Sequence, residues 1–121
     1  MARSGAAATL GLVESDYTPR QVAELLTQDT VQLIDVREPF EHQAGRITGA
    51  RHIELTDLAA QAQTIDRDRP VVFYCRSGAR SAMATAAFRQ AGYDAHNMAG
   101  GLLDWEAAGL PLQPGTGYVA R

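Results

Sequence analysis

The chain has 121 residues, with 11 arginines, no lysine and a formal net charge of -3 at pH 7. This length suits one domain around a single hydrophobic core. The slightly negative charge and the scattered arginines argue against the broad basic face that nucleic-acid binding requires. The single cysteine excludes an internal disulfide and a cysteine-cluster metal site. No apolar run is long enough to span a bilayer, so we expect no membrane segment.

The two ends of the chain differ in composition from the middle. Residues 1–12 are small and apolar without a clear period, which predicts a loose N-terminal arm before a domain over residues 13–112. The start faintly resembles a signal peptide, but its apolar stretch ends at Glu14 without a convincing cleavage site, so we expect a cytoplasmic protein. Residues 113–121 contain Gly and Pro, and we predict a mobile C-terminal tail.

The domain is predicted to begin with a short strand over residues 13–17 and a helix. Thr18 is placed as the N-cap, Pro19 occupies the first helical position, and Gln21 completes a capping box. Residues 31–35 then predict a second strand, whose last residue is Asp35. Because strand ends of a parallel sheet share one edge, this carboxylate could brace an active-site loop there, or could only cap the following turn.

The next segment combines charged residues with two glycines. Arg37 and Glu41 are predicted to form a structural ion pair around Pro39, because their spacing suits a single turn. Residues 45–50 predict a turn, 51–53 a short strand and 56–65 a short helix. His42 and His52 are predicted to be surface or scaffold residues, because no third partner with metal-ligand spacing accompanies them.

The central strand is predicted over residues 71–74, an apolar run that follows Pro70. A helix with its buried stripe at Met83, Ala84, Ala87, Phe88 and Ala91 follows, and Gly92 ends it. Residues 93–98 predict the last strand, and residues 102–106 a final helix. The alternation of strands and helices predicts an α/β fold: a small open, mostly parallel five-stranded sheet with helices on both faces.

Cys75 lies between the central strand and the long helix, at the edge where open α/β sheets bind ligands. A lone cysteine usually packs as a small hydrophobe, but two arginines, a glycine and two serines follow this one on the same loop. Lowering a thiol pKa by about two units takes about 2.7 kcal/mol. Each charge-assisted hydrogen bond from the loop can supply about 1.5–3 kcal/mol. We therefore predict a thiolate at neutral pH that is reachable from solvent.

Four segments resemble signatures of the rhodanese sulfurtransferase family, in order and at its usual spacing. They are Leu33-Ile34-Asp35-Val36-Arg37-Glu38-Pro39 with Glu41, Gly45-Arg46-Ile47-Thr48-Gly49-Ala50, Cys75-Arg76-Ser77-Gly78-Ala79-Arg80-Ser81, and Ala99-Gly100-Gly101-Leu102-Leu103-Asp104-Trp105. The resemblance spans residues 17–111. The family usually has proline at positions 48 and 54 and histidine at position 46, and these departures concern the rigidity of a loop.

The resemblance implies a rhodanese-like domain that transfers sulfane sulfur from a donor such as thiosulfate to a thiol or cyanide, without a cofactor or metal. Cys75 would be the nucleophile that carries a persulfide. The substrate would be bound by the rest of the loop, with Arg76 or Arg80 on its anionic group and Asp35 and Arg37 in support. The loop residues concerned are Arg76, Ser77, Gly78, Ala79, Arg80 and Ser81. A thioredoxin-like or other sulfur-relay protein could be the acceptor.

Two other functions remain open at this point. A cysteine phosphatase would bind phosphate in the same loop, but such enzymes have one residue more between nucleophile and arginine than the four between Cys75 and Arg80. The shorter loop makes a tighter cradle, and no general acid is evident. Alternatively, the chain could be a sulfur carrier or a binding module without turnover of its own, which the intact cysteine does not exclude.

Overall fold

The structure is a computed structural model, and it describes residues 16–121. Five parallel strands form one sheet in the order β1-β5-β4-β2-β3, with β4 at its centre. The strands are β1 (Asp16–Tyr17), β2 (Gln32–Asp35), β3 (Arg51–His52), β4 (Val71–Tyr74) and β5 (Ala95–Met98). This arrangement confirms the predicted five-stranded parallel sheet. The part of the first strand predicted over residues 13–15 lies outside the described residues.

Within the described residues, four α-helices connect consecutive strands and a fifth follows the last strand. They are α1 (Pro19–Thr27), α2 (Pro39–Ala44), α3 (Leu58–Gln61), α4 (Ala79–Gln90) and α5 (Gly101–Ala107). The predicted capping box of α1 is present, with the Gln21 N–H donating to Thr18 Oγ1 at 3.1 Å and the Thr18 N–H to Gln21 Oε1 at 2.8 Å. The single helix predicted over 56–65 is instead α3 between two short 3-10 turns, Leu55–Asp57 and Ala62–Thr64. No helix within residues 16–121 is long and apolar enough to cross a membrane.

The sheet is buried on both faces, which explains the uninterrupted apolar sequence of β4. Alternate residues of β4 point to opposite layers, and all four are fully buried. Val71 and Phe73 belong to one apolar cluster, which also contains residues from α3 and α4. Val72 and Tyr74 belong to the other, which also contains residues from α1 and α5. The predicted layers of helices on both faces are therefore confirmed.

The buried face of α4 differs from the predicted stripe. Ala84 and Phe88 are buried as predicted, but the helix also buries Ser81 and Thr85. The prediction was wrong for three residues that are exposed, Met83, Ala87 and Ala91. Both hydroxyl groups have hydrogen-bond partners in the interior: Ser81 Oγ donates to Asn97 Oδ1 of β5 at 2.6 Å, and Thr85 Oγ1 donates to the Ser81 carbonyl of its own helix at 2.8 Å. A hydrophobicity pattern does not register such bonds.

The C-terminal segment makes contacts with the rest of the domain. Arg46 and Gln113 exchange two backbone hydrogen bonds of 3.0 and 2.7 Å, and the Tyr118 N–H donates to the Ala44 carbonyl at 2.9 Å. Ala120 is buried. The mobility proposed for residues 113–121 stays a prediction, and these contacts are the ones that such motion would have to break.

The start of α5 packs directly on the loop that follows β4. The N–H of Leu102 donates to the Cys75 carbonyl at 2.9 Å, and the N–H of Leu103 donates to the Arg76 carbonyl at 3.0 Å. Gly101 makes this approach possible, because a Cβ there would lie 2.5 Å from the Arg76 carbonyl oxygen and 2.7 Å from that of Cys75. The final helix therefore holds the backbone beneath the candidate nucleophile.

Replacing Gly101 by alanine should destabilise the domain more than the same change at Gly109. Both glycines have positive φ, +62° and +78°, so both variants carry a left-handed backbone penalty of about 1–2 kcal/mol. Only Gly101→Ala also forces two carbonyl groups apart, since nothing lies within 4 Å of a Cβ at Gly109. Denaturant unfolding of the two variants measures the difference. Equal losses would show that the contact between α5 and the loop is not tight.

Candidate active site

The sulfur of Cys75 is surrounded by donors from its own loop. Cys75 follows β4, and α4 begins four residues later, so the loop curls back under the helix. The N–H of Gly78 donates to Sγ at 3.1 Å and the N–H of Ser81 at 3.4 Å. The hydroxyl of Ser81 also lies 3.4 Å from Sγ. Of the predicted loop residues, Gly78 and Ser81 therefore bring donors to the sulfur.

These donors act against burial in setting the pKa of Cys75. Burial raises the pKa because it removes water from the thiolate. The hydrogen bonds from the Ser81 hydroxyl and from the N–H groups of Ser81, Gly78 and Ser77 lower it, and the net result lies below the ordinary thiol pKa. Hydrogen bonding to the charged form therefore outweighs desolvation, as the sequence predicts.

The thiol is less accessible than predicted, because Cys75 has 0% of its surface exposed. The loop closes over the sulfur from one side, and the apolar cluster that contains Phe73 covers it from the other. Ser77 and Ala79 are exposed and Arg76 is half-buried, so these residues form the outer side of the loop. The expectation of an open thiol is therefore wrong.

The two loop arginines have different environments. Arg80 is clamped by Glu41 through two bonds, from Nη1 to Oε1 at 2.7 Å and from Nη2 to Oε2 at 2.9 Å. The predicted pair between Arg37 and Glu41 is therefore wrong: Glu41 lies one turn from Arg37 in sequence, but the fold aims it at α4. Arg76, in contrast, has a buried Nε without a hydrogen-bond partner among residues 16–121.

Asp35 and Arg37 form a fully buried ion pair behind the loop. Asp35 Oδ1 accepts the Arg37 backbone N–H at 3.0 Å and its Nε at 2.9 Å, and Oδ2 accepts Nη2 at 2.7 Å. Burial raises the pKa of Asp35, but the hydrogen bonds and charge of Arg37 and the hydrogen bond of His42 lower it by more. The pKa of Asp35 therefore lies below its ordinary value. Arg37 also lies over the Tyr74 ring, 5.6 Å from its centroid, beside the nucleophile's strand. Within residues 16–121 no hydrogen bond joins this pair to residues 75–81, so Asp35 caps its own turn.

Comparison with known proteins identifies the fold family. The model of the rhodanese-like domain matches residues 18–108, most of the chain. The chain belongs to the rhodanese-like domain family. A sulfurtransferase of Allochromatium vinosum is 38% identical to it over 101 residues, which cover 83% of this chain and 92% of that protein.

Two further relatives show the contexts in which this domain occurs. An HTH-type transcriptional regulator of Mycobacterium tuberculosis, Rv0324, is 38% identical over 113 residues, and the present chain spans only 50% of its length. The crystal structure of a rhodanese-related protein from Thermoplasma volcanium superposes with a TM-score of 0.74 at 28% identity, covering 80% of this chain and 95% of that one. The rhodanese-like domain thus matches one relative almost end to end and another over half its length.

The two histidines near the site are part of its scaffold. Their rings stack with centroids 4.5 Å apart. His42 Nδ1 lies 2.8 Å from Asp35 Oδ2, and His52 Nε2 lies 2.7 Å from the Arg37 carbonyl oxygen. No group of three or more potential metal ligands occurs within residues 16–121. The histidines therefore position the buried ion pair of the rhodanese-like domain.

Sequence reasoning missed Asn97, a buried residue of β5. Its Oδ1 lies 2.6 Å from Ser81 Oγ, in contact with the group that faces Cys75. One signal was available, because a buried strand that reads Ala-His-Asn-Met places an amide where an apolar side chain is usual. Nothing in the sequence indicated which group this amide would meet.

Replacing Asp35 by asparagine should cost about 3–5 kcal/mol of stability, because Arg37 would keep a buried charge without its counter-ion. The matched control is Asp94→Asn, whose exposed pair with His96 should be worth less than about 1 kcal/mol. Because the folded-state pKa of Asp35 is depressed, its contribution is present above the ordinary carboxyl pKa of about 3.9 and is lost as pH falls through the lower folded value. The gap between wild type and Asp35→Asn should therefore narrow in acid. Unfolding curves at several pH values test this, and a gap that is constant with pH would contradict it.

Proposed function

We propose that this rhodanese-like domain is a sulfurtransferase that moves sulfane sulfur from an anionic donor such as thiosulfate to a thiol or cyanide. The observation that carries the proposal is the ring of N–H and hydroxyl donors around a single buried cysteine sulfur. The sulfurtransferase relative that the chain matches almost end to end supports the same reaction class. The depressed pKa of Cys75 supplies the nucleophile, since the thiolate is the reactive form.

The proposed reaction has two displacements that balance without a further reactant. The Cys75 thiolate attacks the outer sulfur of thiosulfate, the bond between the two donor sulfurs breaks, and sulfite leaves with the electron pair. The product is a Cys75 persulfide whose negative charge lies on the terminal sulfur. An acceptor thiolate or cyanide then attacks that sulfur and releases the Cys75 thiolate. The N–H groups of the loop stabilise the anion in each resting state.

Arg76 is the residue that we assign to the anionic group of the donor. Arg80 is bound by Glu41 through both ends of its guanidinium, so its charge is already neutralised. Arg76 is half-buried on the outer side of the loop, and its buried Nε has no hydrogen-bond partner within the protein among residues 16–121. A charge-assisted hydrogen bond of this kind is worth about 1.5–3 kcal/mol. Ser77, Gly78 and Ala79 would contribute main-chain donors as the terminal sulfur binds.

The acceptor side of the site borders exposed apolar groups. Leu103 is 37% exposed, and its N–H binds the Arg76 carbonyl, so it lies beside the loop. Phe40 is 52% exposed and adjoins Glu41, which holds Arg80. These side chains fit an acceptor with apolar surface around a thiol, such as a thioredoxin-like or other sulfur-relay protein. We also propose a cytoplasmic location, where acceptor thiols are kept reduced.

Intact mass after treatment with thiosulfate tests the intermediate. The wild-type protein should gain one sulfur atom, lose it on addition of cyanide and produce thiocyanate, whereas Cys75→Ala should gain nothing. Release of phosphate from an aryl phosphate without thiocyanate formation would instead make the protein a phosphatase. A Cys75→Ser variant that keeps full cellular function would indicate a binding module.

Replacing Arg76 by alanine should lower kcat/KM for thiosulfate by about tenfold or more, since a bond of 1.5–3 kcal/mol to the anion is lost. The effect should lie mainly in KM. The matched control is Arg69→Ala, which removes an exposed charge before β4, at the opposite end of the strand from the loop. Steady-state kinetics at fixed ionic strength measure both variants. If both variants lowered kcat/KM only slightly and equally, Arg76 would not be a donor-binding residue.

A further inference from the structure

Asn97 faces the reactive loop from a neighbouring strand. It is 6% exposed and pairs in register with Phe73 of β4, two residues before the cysteine. Its Oδ1 lies 2.6 Å from Ser81 Oγ, and its Nδ2 lies 3.4 Å from the Gly78 carbonyl oxygen. Both of these partners belong to residues whose N–H groups bind the Cys75 sulfur.

The Ser81 hydroxyl has more acceptors than protons. Its oxygen lies 2.6 Å from Asn97 Oδ1, 3.2 Å from the Gly78 carbonyl oxygen and 3.4 Å from Cys75 Sγ. A hydroxyl carries a single proton, so it donates to one of these groups at a time. The shortest distance favours Asn97, whereas a negative charge on the sulfur favours Cys75, because charged acceptors form the stronger bonds.

We propose that Asn97 is a positioning residue that competes with the Cys75 sulfur for the Ser81 proton and thereby tunes the nucleophile. This role rests on the proposed sulfur transfer. Before attack the charge resides on Sγ, which draws the hydroxyl toward it. Once the persulfide forms, the charge moves to the terminal sulfur, and Asn97 can take the bond that Sγ no longer needs.

The competition has a consequence for reactivity. A thiolate with fewer donors is more basic and, at full ionisation, attacks faster, because thiolate nucleophilicity falls as the pKa falls. By accepting the Ser81 proton for part of the time, Asn97 reduces the hydrogen bonding to the thiolate and so keeps it more nucleophilic. The main-chain donors of Gly78 and Ser81 hold the anion in either case, since the amide does not compete for them.

Two substitutions at Asn97 should shift the titration of Cys75 in opposite directions. Asn97→Leu keeps similar bulk and removes the competing acceptor, so the pKa of Cys75 should fall by about one unit. Asn97→Asp places a carboxylate against the hydroxyl, so the pKa should rise. The ultraviolet absorbance of the thiolate, titrated without any sulfur donor, measures both. Asn97→Ala also removes the acceptor, so it should move the pKa of Cys75 in the same direction as Asn97→Leu. The alanine variant is used if the leucine variant does not fold.

The Ser81→Ala background separates a positioning role from a structural one. If Asn97 acts through the hydroxyl, Asn97→Leu should leave the pKa of Cys75 unchanged once Ser81 is alanine. In the presence of Ser81, the rate of persulfide formation at full ionisation should fall by about threefold for a pKa decrease of about one unit. The proposal would be overturned if the pKa of Cys75 rose in both Asn97→Leu and Asn97→Asp. It would also be overturned if Asn97→Leu shifted that pKa equally in the wild type and in the Ser81→Ala background. Failure of the wild type to form a persulfide would overturn the sulfur transfer instead, since the titration is measured without donor.

Discussion

The structure depends on the hydrogen bonds that surround one buried cysteine sulfur. Cys75 is fully buried, which alone would raise its pKa, and the direction is reversed by hydrogen bonds from Gly78, Ser77 and Ser81. Such bonds require a backbone that curls around one atom, and a loop of this kind cannot hold its shape alone. The neighbouring elements of the fold are arranged to hold it.

Three neighbouring elements hold the loop, each through a different type of interaction. Leu102 and Leu103 of α5 bind its carbonyl groups, so the main chain beneath the sulfur is tied to the last helix. Glu41 of α2 binds Arg80 at the far end of the loop. Asn97 of β5 reaches the Ser81 hydroxyl. On the outer side of the loop, the Arg76 backbone is held by α5, whereas its side-chain Nε has no hydrogen-bond partner among the described residues.

The two arginines of the loop differ in whether an acidic side chain within the described residues binds them. Arg37 is paired with Asp35 in the interior, where its Nη1 has no hydrogen-bond partner among the described residues, and Arg80 is paired with Glu41. Breaking a buried ion pair leaves an uncompensated charge, so these pairs maintain the fold and are not available to bind a ligand. Arg76 is the loop arginine whose side chain forms no ion pair among the described residues and whose buried Nε is unpartnered. Arg76 is proposed as the donor-binding residue because Glu41 binds Arg80 and Asp35 binds Arg37.

The sequence by itself determined the parallel sheet, the helices on both faces and the position of Cys75 at a strand end, because these depend on local periodicity and on turn residues. It also indicated the family through four collinear motifs. Only the tertiary structure decided the partners: Glu41 binds Arg80 in place of Arg37, α4 turns Ser81 and Thr85 inward in place of Met83, and Asn97 meets the loop. These contacts join side chains that are distant in sequence, and an ion pair or a hydroxyl bond leaves no periodic trace along the chain.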